Sequence, residues 1–218
     1  MSSPDPTPPA AALVLPVFPL PDVTLFPHVP LPLHIFEARY RAMVSDALAR
    51  DRRLCVARLE PGWEAGYNGK PPVAPIAGAG EIVSWERLAT GRYNIVVRGQ
   101  WRVRIERELP TDTLYRVMRM RRLADEPAAA DPAPRLGRIR AACLRLLDAV
   151  GRPSGLLDPL LAPEQPPGVI ADRVAAAVLP DARQRQELLE TLDVGVRLER
   201  LAAALDALVE ELRKGGKP

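Results

Sequence analysis

Long apolar runs, cysteine, lysine and histidine are all scarce in these 218 residues, and each scarcity removes a class of function. No stretch reaches the roughly 18 consecutive apolar residues of a membrane-spanning helix, because a proline or a charge interrupts every apolar run. A membrane role is therefore not expected. The opening MSSPDPTPPAAA has neither a cationic start nor an apolar segment of signal-peptide length, so residues 1–12 read as a disordered lead-in and the cytoplasm is the expected compartment. Cys55 in LCVARL and Cys143 in RAACLRLL show no C-x-x-C spacing and take the places of small apolar side chains, which predicts two buried thiols rather than a disulfide. His28 and His34 flank VPLPL without a third or fourth ligand in any recognisable pattern, so neither a metal nor a cofactor is expected.

Lysine occurs only at Lys70, Lys214 and Lys217, and arginine supplies the rest of the 30 cations against 27 acids. Guanidinium forks pair with carboxylates and phosphates alike, so this balance permits ion-pair networks and nucleic-acid contact. A net charge of +3 is far from the excess of a dedicated nucleic-acid binder. With 47% hydrophobic residues the chain can bury a core of ordinary size, as one domain or two small lobes.

The first half carries strand signals. Residues 13–18 are apolar, and Pro19, Pro21, Pro27, Pro30 and Pro32 then punctuate the chain, which argues against a central ladder strand and leaves an extended, edge-type path. A one-sided helix follows, with Phe36, Tyr40, Met43, Val44, Ala47 and Leu48 spaced by three and four. Residues 54–59 read as a buried strand, and 60–75 as a long Gly/Pro-rich loop. Strand candidates come next at 80–88, 93–97, 101–109 and 114–120, with Thr90-Gly91 as a hairpin turn. Residues 124–134 (ADEPAAADPAP) read as a hinge, after which the pattern is helical. Leu136, Ile139, Cys143, Leu146 and Val150 form one apolar stripe, and Leu198, Leu201, Leu205, Leu208 and Leu212 another; both read as packing within a small helical lobe. The expected class is α+β, with a β lobe over 13–123, a linker over 124–134 and a helical lobe over 135–218.

Three blocks carry a family resemblance. VLPVFPLPDVTLFPHVPLPLHIFEARYRAMVSDAL, residues 14–48, resembles the start of the Lon N-terminal (substrate-binding) domain, where an apolar strand leads to a P-L-x-I-F-E-x-R-Y motif and a helix. GAGEIVSWERLATGRYNIVVRGQWRVRIERE, residues 78–108, resembles the family's succession of a G-x-G-x-I strand, a T-G-R-Y turn and a G-x-x-R-x-x-I strand. ADRVAAAVLP (171–180) and RQELLETLDVGVRLERL (185–201) resemble its helical portion, with an L-P turn and an L-L-E-x-x-D-x-x-x-R-L run. The resemblance implies a PUA-like β-barrel with one helix followed by a helical bundle. It also implies a bacterial recognition module for unfolded or damaged polypeptides, or an adaptor delivering them, with a resident Lon protease as a possible partner.

Catalysis is not expected. Full-length Lon continues into a Walker A ATPase and a Ser-Lys protease dyad, whereas GWEAGYNGKPP lacks the glycine spacing and the Ser or Thr of a P-loop. The three lysines fall in a loop and a tail, not in the buried setting a Ser-Lys nucleophile needs. The candidate peptide contacts are Trp63 and Tyr67 in the long loop, where the rings either anchor a ligand or fold back over the barrel, together with Phe18, Phe26 and Phe36, where core packing competes. An edge beside the prolines could also accept an extended peptide by strand addition. The alternative is an RNA-binding face using Arg98, Arg102, Arg104, Arg119 and Arg121, with Arg107, Arg116 and Arg122 nearby; the competing reading is a solvated face paired with Glu86, Glu106, Glu108 and Asp112.

Overall fold

The computed structural model describes residues 12–66 and 69–214. Alternation of apolar and polar side chains builds the first half into β1 (Ala12–Leu20), β2 (Pro30–Ile35), β3 (Arg53–Arg58), β4 (Ile76–Arg87), β5 (Tyr93–Leu109) and β6 (Arg116–Leu123), with α1 (Ala38–Leu48) after β2. The strand order is β2-β5-β4-β3-β1-β6, and the long β5 pairs with β6 as well, so the chain of pairings returns on itself. Residues 93–97 and 101–109 are one strand rather than two, continuous through Gly99. Val97 and Val103 point inward on it, as the alternation predicts. The expected lead-in falls outside the described residues except for Ala12, which begins β1.

β1 corrects the expectation that prolines keep this segment at an edge, since it lies between β3 and β6. Its two pairings are staggered: residues 12–17 run antiparallel to β6, and residues 17–20 run parallel to β3. They overlap only at Val17, so Pro16 and Pro19 each sit where one flank of the strand carries no ladder, and a missing N–H is tolerated there. β2 does lie at an edge, with β5 its only partner among the described residues. Pro30 and Pro32 share one parity on it, which suits nitrogens turned to the open side and leaves that side poor in donors for an added strand.

α1 packs Tyr40, Met43, Val44 and Ala47 against Ile82, Ile95 and Val97, and the Phe18 and Tyr40 rings meet at 4.5 Å. A second apolar cluster, with Cys55, Val103, Met118 and Met120, fills the space enclosed by β1, β3, β4, β5 and β6. Burial pushes the Cys55 thiol up to about 12 and the Cys143 thiol up to about 11, and both cysteines are free and buried.

Four helices follow: α2 (Ala133–Ala149), α3 (Pro167–Val178), α4 (Ala182–Glu190) and α5 (Val194–Lys214). Prolines open α2 and α3, where a missing N–H is harmless. Asp181 caps α4 by accepting from the Gln184 N–H at 2.7 Å, and Asp193 accepts from the Val196 N–H at 2.9 Å at the start of α5. The middle of each apolar stripe is buried, with Ile139, Cys143, Leu198, Leu201 and Leu205 in one cluster that also receives Phe26 and Ile76 from the strand half, and Leu136, Leu146 and Leu208 half-buried against it. The expected hinge is pinned, because Glu126 bridges to Asp193 and its carbonyl accepts from the Val194 N–H.

Candidate binding groove

The apolar stripes of α2 and α5 do not stay buried to their ends. Toward the C-termini of both helices, Leu146, Leu147, Val150, Leu208 and Leu212 line a groove completed by Leu156, Leu157 and Leu160 of the connector and by Ala177, Val178 and Pro180 around the end of α3. Its volume is about 520 Å³, within the range of sites that take a small ligand or a few apolar side chains. Val150, Leu156 and Leu212 remain 57%, 52% and 47% exposed, and Cys143 lies at the floor. The connector creates this opening. Pro153, Pro159 and Pro163 prevent a third long helix from closing over the pair, and the connector reaches it through the short 3-10 turn Ser154–Leu157, which buries Leu157 and leaves Leu156 outside, and through Leu160 beyond it.

The sequence reading placed all ten stripe residues in the core and missed the groove. Its one visible signal is GLLDPLLAP, four leucines within a Gly/Pro-punctuated connector where polar residues are the norm.

The five aromatic candidates separate. Phe26 is fully buried among the helices and Phe18 is buried against Tyr40, so neither can meet a ligand without unfolding, and both are corrected to core residues. Phe36 is 59% exposed, because α1 begins only at Ala38 and Phe36 lies before its buried stripe; its ring stacks near His34 at 6.3 Å. Trp63 sits half-buried in the 3-10 turn Trp63–Gly66, and Tyr67 lies outside the described residues.

The arginine face separates too. Arg102 is 3% exposed and forms no part of a surface. It donates to Asp172 Oδ1 at 2.5 Å and to the Leu189 carbonyl at 2.9 Å, and lies 3.3 Å from Asp125. Arg197, fully buried, joins the same carboxylates: Nη2 donates to Asp125 Oδ1 at 2.6 Å and Nη1 to Asp172 Oδ1 at 3.2 Å, while Nε donates to the Thr191 carbonyl. Burial pushes the Asp172 carboxyl up, opposed by Arg102 and Arg197. This cluster ties β5, the 124–134 segment, α3 and α5 together. Arg98, Arg119 and Arg121 are exposed and Arg104 is half-buried.

A smaller cavity of about 220 Å³ lies between β1, the β5–β6 turn and residues 69–71. Its charges are engaged in holding the loop: Lys70 Nζ and Arg116 Nη2 approach Glu108 at 2.7 and 3.0 Å, and Arg116 also donates to the Pro71 carbonyl at 2.6 Å. Burial works against the Glu108 carboxylate, but Lys70 and Arg116 outweigh it and hold its pKa below the usual range. Among the described residues no three His, Cys, Asp or Glu side chains converge on a metal position, and no helix is long and apolar enough to cross a membrane.

Comparison with known proteins accounts for nearly the whole chain. Residues 14–207 match the model of the ATP-dependent protease La (LON) substrate-binding domain. A Lon protease of Roseiflexus castenholzii is 32% identical over 226 residues, covering 100% of this chain and 27% of that protein. A Lon protease of Desulfosudis oleivorans is 23% identical, covering 93% of this chain and 25% of that protein. The chain thus spans about a quarter of the length of these proteases. The N-terminal domain of a Mycobacterium avium complex Lon protease superposes with a TM-score of 0.70 at 23% identity, over 89% of this chain and 98% of that one. A Lon N-terminal domain protein of Xanthomonas campestris gives 0.62 at 22% identity, over 88% and 98%. The chain belongs to the Lon substrate-binding domain family.

Proposed function

We propose that this chain is a non-catalytic protein-recognition module that holds apolar stretches of unfolded or damaged polypeptides, either for its own sake or as an adaptor to a resident Lon protease. The observation that carries this is the apolar groove at the ends of α2 and α5, where Val150, Leu156 and Leu212 stand about half exposed. Apolar patches rimmed by polar surface mark protein interaction sites. Glu211 lines this groove, and Arg145, Asp148 and Arg213 line the depression beside it that shares Leu146 and Leu212, so both signs flank the apolar surface and the recognised segment is apolar and close to neutral. In the same reading the strand half, residues 13–123, is a PUA-like barrel closed through the β5–β6 pairing. The helical lobe, 135–218, carries the groove, and 124–134 is the joint. Trp63, with Tyr67, and Phe36 would add contacts for a longer client.

Leu156→Asp and Leu212→Asp should each weaken binding of an apolar peptide by about tenfold or more, since a central apolar contact at an interface is worth above about 1 kcal/mol and a buried charge adds to the loss. Both side chains are half-exposed in the free protein, so its melting temperature should change little. Fluorescence anisotropy against a labelled apolar peptide reads the first effect, and affinity should persist at moderate salt because apolar contact is not screened. Unchanged affinity in both variants would remove the groove from the account.

A further inference from the structure

We infer that the outer face where β5 pairs with β6 is a second docking surface, for an acidic segment of the polypeptide client; this rests on the protein-recognition reading above. Arg104 stands directly opposite Arg121, and Arg107 directly opposite Arg119. Directly opposed residues share a face with Cβ atoms about 5 Å apart, and positions two apart along a strand repeat at about 7 Å, so the four guanidiniums form a compact two-by-two block. A register shift between Ile105 and Arg107 makes this possible: Arg107 is three positions on from Arg104, an offset that in a regular strand would put the two on opposite faces, and the extra residue of the bulge returns them to one face.

Opposed like charges destabilise a sheet, and here two such pairs stand side by side with little to relieve them. Glu106 approaches Arg121 at 3.9 Å, Arg107 and Arg119 have no hydrogen-bond or ion-pair partner among the described residues, and the Arg104 Nε is buried without an acceptor. On the exposed faces of α2 and α5, by contrast, Arg138 and Arg145 meet Asp206 at 2.7 and 3.1 Å. The block is therefore suited to an anionic partner. Its extent suits two or three carboxylates, which guanidinium forks hold bidentately. The paired positions of β5 and β6 on this face carry no aromatic ring to stack a base, and the neighbour on β1 is the exposed Val14, opposite Arg119; both features favour a peptide over single-stranded nucleic acid.

The test is a titration of the full chain with a labelled polyglutamate peptide and with a single-stranded RNA of equal charge, at low and moderate ionic strength. The peptide should bind at low salt, weaken steeply as salt rises and lose about tenfold or more in affinity in the triple variant Arg107→Ser, Arg119→Ser, Arg121→Ser. That variant should melt no lower than the unaltered protein, since it relieves repulsion, and should retain the apolar peptide in full. Leu156→Asp should bind polyglutamate normally, so failure of the groove and failure of the arginine block are read separately. No polyglutamate binding at low salt, equal binding by the triple variant, or tighter binding of RNA than of the peptide would each overturn the assignment.

Discussion

Asp172→Ala is expected to destabilise the fold by about 3–5 kcal/mol, the usual consequence of removing one partner from a buried ion cluster. Asp172 is 2% exposed and is the carboxylate shared by Arg102 and Arg197, themselves sealed from water. Without it Asp125, about a third exposed, is the one carboxylate left to the two guanidiniums among the described residues. Asp172→Asn separates charge from volume and should fall only slightly short of the alanine variant. Urea unfolding reads the loss as a lower midpoint at unchanged slope. Converting Arg102 and Arg197 to methionine together with Asp172→Leu should recover part of the loss, because apolar replacements of a whole buried cluster are tolerated. Recovery stays partial, since Arg197 also serves the Thr191 and Leu192 carbonyls and Arg102 the Leu189 carbonyl. A midpoint for Asp172→Ala within error of the unaltered protein would mean that the cluster does not join the strands to the helices as described.

Gly78→Ala should cost about 3 kcal/mol or more, although an alanine methyl is the smallest possible addition. A Cβ at Gly78 would stand 1.9 Å from the Leu25 carbonyl oxygen, and one at Gly99 would stand 2.0 Å from that of Phe26. These are backbone atoms of the segment that crosses the sheet between β1 and β2, and they cannot swing aside as a side-chain tip can. The crossing inserts Leu25 into the cluster under α1 and Phe26 into the helical cluster, so displacing it loosens both cores at once. The entropic gain of Gly→Ala, about 0.4–1 kcal/mol, is too small to offset such overpacking. For a chain of this size the melting temperature should fall by roughly 6–12 °C. Gly137→Ala, on an exposed turn of α2 with open space around it, is the matched control and should stabilise slightly.

These two sites also show what the sequence can and cannot convey. Strand alternation around Val97, Val103 and Ile105 and the helical stripes of α2 and α5 follow from local periodicity, and the family resemblance rested on motifs that local order preserves. Within those motifs the arginine of G-x-x-R-x-x-I is Arg102, and that of L-L-E-x-x-D-x-x-x-R-L is Arg197. Read along the strand, Arg102 alternates with apolar neighbours like any solvated arginine; its partner Asp172 lies 70 residues away, so its burial is a tertiary fact. The central place of β1 was hidden for a similar reason, since a proline's tolerance depends on which flank lacks a neighbour, and that is set by the stagger of β3 against β6. The groove was hidden because a stripe reports which face of a helix is apolar and not whether something covers its last turn. Val150 and Leu212 belong to stripes whose earlier members are buried, and only the path of residues 151–166 leaves them open.

Fold and recognition meet in this arrangement. The buried ion cluster and the crossing at Gly78 and Gly99 hold strands and helices together, and under the proposed function the apolar surface at the ends of α2 and α5 is what meets a client. A photo-crosslinking residue placed at Leu156, at Leu212 and, for comparison, at the exposed position Arg140 on α2 tests this most directly when the protein is illuminated with an unfolded client. Strong adducts at Leu156 and Leu212, competed by an apolar peptide and absent at Arg140, are the predicted result. Equal labelling at all three positions, or none in the groove while the client remains bound, would contradict the account.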